Sequence, residues 1–130
     1  MALAIVVTSL WPKSSTATLR IADHTYTLEF ASTAAQQQRG LGGRPSMPTD
    51  HGMLFPYDAP GRHCFWMKDM QFALDIIWLD GDKRVVKIER DLSPSSYPTS
   101  YCANNTRYVI ELNAGQAEAT NLQAGQRLEF

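Results

Sequence analysis

The chain has no block of like charge, no apolar run of membrane-spanning length, and only two cysteines and three histidines among its 130 residues. Each shortage excludes something. The apolar N-terminus, Met1–Leu10, is about half of the roughly 20 residues that a bilayer-spanning helix needs. Twelve basic residues against thirteen acidic ones leave a net charge of −1, so there is no basic patch to track nucleic-acid phosphates. Cys64 and Cys102 form no C-x-x-C pair, and two thiols alone cannot build a four-ligand zinc site. His24, His51 and His63 show no metal-ligand spacing, with His24 read as a turn residue. Neither a P-loop nor a nucleotide-binding glycine fingerprint occurs. No metal, cofactor or nucleic-acid partner is therefore expected.

What is present suits one domain, 44% hydrophobic, with seven prolines and eight glycines scattered between short apolar runs. That pattern favours a β-rich body over a helix bundle. Residues 1–15 read as the remnant of an apolar leader or anchor followed by a polar linker. The competing readings are a weak signal segment or a first β-strand, since no cationic segment precedes the run and no clear cleavage site follows it. The domain then spans 16–130 and is expected to be extracytoplasmic or membrane-anchored, touching the membrane only through that anchor; the alternative is cytoplasmic. A monomer is expected.

Thr16–Ala22 and Thr25–Phe30 alternate and are separated by Asp23-His24, a β-hairpin pattern. Thr33 followed by Gln36 is a capping box that opens a short helix, and Gly40 or Gly42 ends it. Arg39 falls in its last turn, where a cation suits the negative helix end. Gly52–Phe55 reads as a short strand stopped by Pro56. Cys64–Lys68 and Leu74–Leu79 read as strands, and Asp80-Gly81 turns the chain into a returning strand, Arg84–Glu89. Asp91–Thr106, rich in proline and serine, reads as a long covering loop. Arg107–Leu112 is a further strand, Ala117–Asn121 a helical turn, and Gln126–Phe130 a last strand. The expected fold is mainly β, a compact sandwich or barrel with one or two short helices.

The segments GMLF (52–55), FWMK (65–68), LDIIWLD (74–80) and RYVIEL (107–112), with Arg39-Gly40-Leu41, Arg44 and the closing AGQRLEF, resemble the DUF192 family. The resemblance runs from about Leu19 to Phe130. It implies a compact, jelly-roll-like sandwich or barrel, often behind a leader or anchor, and it implies no biochemical function. The sequence departs from the family at Asp69-Met70, where Asn-Thr is common, and at Ala73, where proline is frequent.

The chemistry concentrates on Cys64–Asp80, where charges sit among tryptophans and aliphatics. On a strand, Asp75 shares a face with Ile77 and Leu79, while Leu74, Ile76 and Trp78 take the other. Both faces are apolar, so Asp75 must find a cation or several backbone N–H groups. Lys68, Arg39, Arg44 and Arg107 are the candidate cations, and a structural ion pair is the simplest expectation. The aromatics Phe65, Trp66, Phe72, Trp78 and Tyr97 suit a core, or else the walls of a groove. The candidate pocket residues are Arg39, Met53, Trp66, Lys68, Asp75, Tyr101 and Arg107. Cys64 and Cys102 are either independent thiols, one buried on a strand and one in a loop, or a disulfide, which requires an oxidising compartment. The expected function is a non-catalytic, extracytoplasmic binding module for a small molecule, sugar or peptide, with its pocket near Trp66, Lys68 and Asp75. The alternative is a small enzyme using acid–base chemistry at Asp75 and Lys68 or a thiol at Cys102.

Overall fold

The alternating segments become strands in a computed structural model that describes residues 15–130. The leader expected before Ser15 lies outside the described residues. In chain order the elements are β1 (Thr16–Ile21), β2 (His24–Phe30), α1 (Ala34–Arg39), β3 (His51–Trp66), β4 (Leu74–Leu79), β5 (Val85–Leu92), a 3₁₀ turn at Pro94–Ser96, β6 (Ser100–Asn113) and α2 (Gln116–Ala119). The fold is mainly β with two short helices, as expected.

The six strands join in one sheet of order β1-β2-β3-β6-β4-β5. β2 and β3 run parallel and every other pair antiparallel. A parallel pair needs a crossover, and α1 with its flanking loops supplies it. The helix begins as its sequence predicts: the Thr33 side chain accepts from the Gln36 N–H, and the Gln36 side chain accepts from the Thr33 N–H.

Apolar residues cover both faces of the sheet. Leu28, Leu54, Ile77, Ile110 and Leu112 belong to one core, and Met53, Phe55, Ile76, Trp78 and Val109 to the other. All of β4 is buried in consequence. Gly52 is fixed by the same crowding. A Cβ there would stand 2.6 Å from the Glu111 carbonyl oxygen and under 3 Å from the Leu28 and Leu112 side chains. Only glycine lets β3 pass between β2 and β6 at this point.

The layering is sandwich-like, but among the described residues no continuous ladder closes the sheet into a barrel. The strand expected at Gln126–Phe130 is instead a tail making isolated bridges, Arg20 to Glu129 and Arg84 to Arg127. It lies along the β1 edge and the approach to β5, with Arg20 N donating to Glu129 O and Leu128 N to Lys83 O. Backbone groups of the kind that recruit another chain at an open edge are thereby occupied at Arg20 and Lys83.

Two expectations fail together. The strand at Gly52–Phe55 does not stop at Pro56 but continues to Trp66, and the loop expected at Asp91–Thr106 shrinks to residues 93–99. β5 extends through Leu92, and β6 starts at Ser100 to pair with the outer half of β3. The ladder shifts register between Pro56 and Gly61, the stretch that holds Pro60, and again between Gly61 and His63. Cys64 is exposed, not buried, and Cys102 is on a strand, not in a loop. The two sit opposite each other in the β3–β6 ladder and form a disulfide.

The disulfide staples the part of the ladder with the weakest strand propensity. It closes a separation of 38 residues. Removing both thiols (Cys64→Ser with Cys102→Ser) is expected to lower stability by about 2–4 kcal/mol in a urea unfolding curve. A midpoint equal to that of the wild type would contradict a formed bond.

Candidate functional site

Two loops build the site. After α1 the chain turns at Gly40, whose φ of +51° is open to glycine at little cost, and passes through buried Leu41 and Gly42. After β3 it buries Met67 and turns at Asp69, with φ +60°, a left-handed conformation that Asn and Asp adopt more readily than most residues. The loops are tied together, Gly43 N donating to Asp69 O at 2.9 Å.

Between them lies a cleft of about 830 Å³ lined by Arg39, Trp66, Lys68, Asp69, Met70 and Gln71, among others. Trp66 is 46% exposed, which is unusual for so large a side chain. Its ring packs edge-on against Tyr97 and carries the Lys68 ammonium 5.6 Å from its centroid. Arg39 makes one long contact from Nε to the Gly42 carbonyl, at 3.5 Å. Among the described residues neither Arg39 nor Lys68 has an ion-pair partner.

A second, deeper cavity of about 180 Å³ adjoins the cleft and shares Arg39, Trp66 and Lys68 with it. Phe55, Tyr57 and Phe65 form apolar walls, and Glu111 lines it too. Glu111 lies on β6 between Met53 of β3 and Ile76 of β4, and it is only 4% exposed. Its carboxylate has no hydrogen-bond or ion-pair partner among the described residues, and burial pushes it up to about 8. Burial, with the Glu111 charge second, raises the Tyr57 phenol to about 12. His63, stacked on Tyr57 at 3.5 Å, is held below its ordinary value by burial.

A third cavity of about 380 Å³, lined by Met53, Arg39 and Arg44 among others, opens on the far side of Gly40. There Arg44 is bound to Glu29 through two bonds of 2.7 and 3.2 Å. The hydrogen bond from Arg44 lowers the Glu29 carboxyl below its ordinary value, against a smaller opposing effect of burial.

The DUF192 family model, described as "Uncharacterized ACR", matches residues 17–130. The chain belongs to the DUF192 family. The DUF192 domain here is also similar to two crystal structures. One is a protein of Sinorhizobium meliloti, provisionally described as a transcription regulator, at 31% identity and a TM-score of 0.79, covering 86% of this chain and 89% of that one. The other is a protein of unknown function from Novosphingobium aromaticivorans, at 29% identity and a TM-score of 0.81, covering 94% and 91%. No curated protein matches the sequence.

Within this DUF192 domain, Arg39, Trp66 and Lys68 line one cleft, and Met53 lines the neighbouring cavity. Asp75 does not join them. It points to the opposite face of the sheet, fully buried, and makes no ion pair. Its Oδ1 accepts from Asp91 N at 2.9 Å and its Oδ2 from Ala117 N at 2.7 Å. The expected ion pair is therefore replaced by two backbone donors, one at the end of β5 and one at the start of α2. Tyr101 packs beside the second core, and Arg107 lies over the Tyr108 ring; neither lines the three cavities. Glu111 is the residue that reading the sequence misses. The available signal was an acid inside the apolar strand RYVIEL.

Proposed function

We propose that this domain is a non-catalytic binding module that holds a small anionic ligand in the cleft between the α1 exit and the loop after Trp66. One observation carries the reading: Arg39 and Lys68 line the same cleft without ion-pair partners, beside an exposed tryptophan face. Two exposed cations with no carboxylate partner among the described residues favour a carboxylate or phosphate group, and the Trp66 ring supplies apolar area for the remainder of the ligand. The Cys64–Cys102 bond supports an oxidising, extracytoplasmic setting, because such bonds are rare in reducing compartments. No helix among the described residues is long and apolar enough to cross a membrane.

The enzymatic reading loses two supports. Both thiols are taken up in the disulfide, and both Asp75 oxygens are occupied by backbone donors. Glu111 has a raised proton affinity in the deeper cavity, but Cys64 there is held in the disulfide, and among the described residues no second acid lines that cavity.

Titration of the wild-type protein with a panel of small carboxylates, phosphates and acidic sugars, followed by tryptophan fluorescence, tests the reading. Arg39→Ala and Lys68→Ala are each expected to weaken binding at least about tenfold, equivalent to about 1.4 kcal/mol. Both side chains are exposed, so neither change should lower the unfolding midpoint appreciably. Affinity unchanged in both variants, or no binding across the panel, would overturn it.

A further inference from the structure

The buried acid beside the cleft has no role in holding an anion, yet it is set into the same site. Glu111 is more than nine-tenths buried, lacks a polar partner among the described residues, and lines the deep cavity. Gly40 leaves the approach to it free, since a Cβ there would stand 3.7 Å from Oε2 and 3.5 Å from the Phe55 ring. At about 180 Å³ the cavity is below the roughly 300 Å³ at which ligand pockets usually begin, so it suits one functional group.

We propose that the Glu111 cavity receives the ammonium end of a small amino-carboxylate whose carboxylate end is held by Arg39 and Lys68 in the outer cleft. This rests on the binding function given above and names its ligand class. The cavity has aromatic walls and one carboxylate, and the two cations that also line it, Arg39 and Lys68, are shared with the outer cleft, where the ligand's carboxylate would offset them. A carboxylate with ring faces is the chemistry that recognises an ammonium group. A phosphate or a plain fatty carboxylate would leave Glu111 unpaired.

Proton balance follows from burial. Near neutral pH the free protein carries Glu111 as the acid. An entering ammonium keeps its own protons and pairs with the carboxylate, so the Glu111 proton leaves to solvent. The charged or titratable groups around Glu111 are Arg39 from α1, Tyr57 from β3 and Lys68 from the following loop, with His63 one ring further out; its β4 neighbour, Ile76, carries none. Tyr57 stays protonated across the range of interest.

The test is calorimetric titration of the wild-type chain with unbranched ω-amino carboxylates of increasing length, each against the matched carboxylate without an amine. At the best length the amino compound is expected to bind at least about tenfold tighter near pH 8, and to release a proton below it. Its affinity should rise by up to about tenfold per pH unit until about pH 8 and then level. Glu111→Gln should abolish both the amine preference and the pH dependence. Equal binding of amino and plain carboxylates, or a pH dependence that survives Glu111→Gln, overturns this inference and leaves the anion site standing. Failure of every carboxylate to bind overturns this inference, and the anion site falls with it only if the phosphates and acidic sugars also fail to bind.

Discussion

Replacing Asp75 by alanine is expected to cost about 2–4 kcal/mol of stability, because it strands the buried Ala117 N–H and the partly buried Asp91 N–H at about 1–3 kcal/mol each. Asp75 is fully buried, and its carboxylate joins three elements: β4, the end of β5 through Asp91 N, and α2 through Ala117 N. Asp91 takes φ +52° where the β4–β5 register shifts, between the pairs Leu74–Leu92 and Ile76–Glu89. Asp75→Asn should fall in between, since one of its two terminal atoms is itself a donor and faces an N–H. Urea unfolding of the two variants provides the measurement. A midpoint unchanged in Asp75→Ala would mean that the backbone donors find other partners. A loss restored by a second substitution at Lys68 or Arg107 would revive the ion pair that the sequence suggested.

Glu111→Gln should act in the opposite direction, and only at high pH. The folded chain keeps this proton up to about 8, whereas an ordinary carboxyl gives it up near 4.5. Below the lower value both states are protonated, and the group adds no pH dependence. Between the two values unfolding releases a proton, so each rise of one pH unit lowers stability by at most about 1.4 kcal/mol. Above about 8 both states are ionised, and the folded state carries the whole cost of the buried charge. The glutamine variant cannot ionise. It should match the wild type near pH 4.5 and exceed it by an amount on the order of 4 kcal/mol near pH 9. Stability curves of the two proteins that run parallel across this range would refute the raised proton affinity.

The contrast between these acids shows what the sequence makes legible. Local signals translate well. Thr33 and Gln36 place the helix start, the alternation around Asp75 places its face, and Asp80-Gly81 places the β4–β5 turn. The sequence groups Arg39, Trp66 and Lys68 around Asp75 through the cation that a buried acid demands, and the three line one cleft while Asp75 faces the other core. The partners of Asp75 could not be read, because backbone N–H groups carry no residue identity. Glu111 was hidden by its own pattern. In RYVIEL it alternates with Tyr108, Ile110 and Leu112, so in a half-solvated sheet it would point to water. It is buried only because β6 lies in the sheet interior, between β3 and β4, with cores on both faces. The outer β3–β6 ladder escaped notice for a related reason. Pro56, Pro60, Asn104 and Asn105 have loop propensity, and long-range pairing with a disulfide overrides it.

The most direct test of this account is the titration of the Glu111 side-chain carboxyl by carbon NMR, with Glu111→Gln identifying its resonance. A midpoint near 8 is expected, set by burial in the cavity beside Arg39 and Lys68. A midpoint near 4.5 would mean that the carboxylate is solvated or already paired, and it would contradict the site described for this domain.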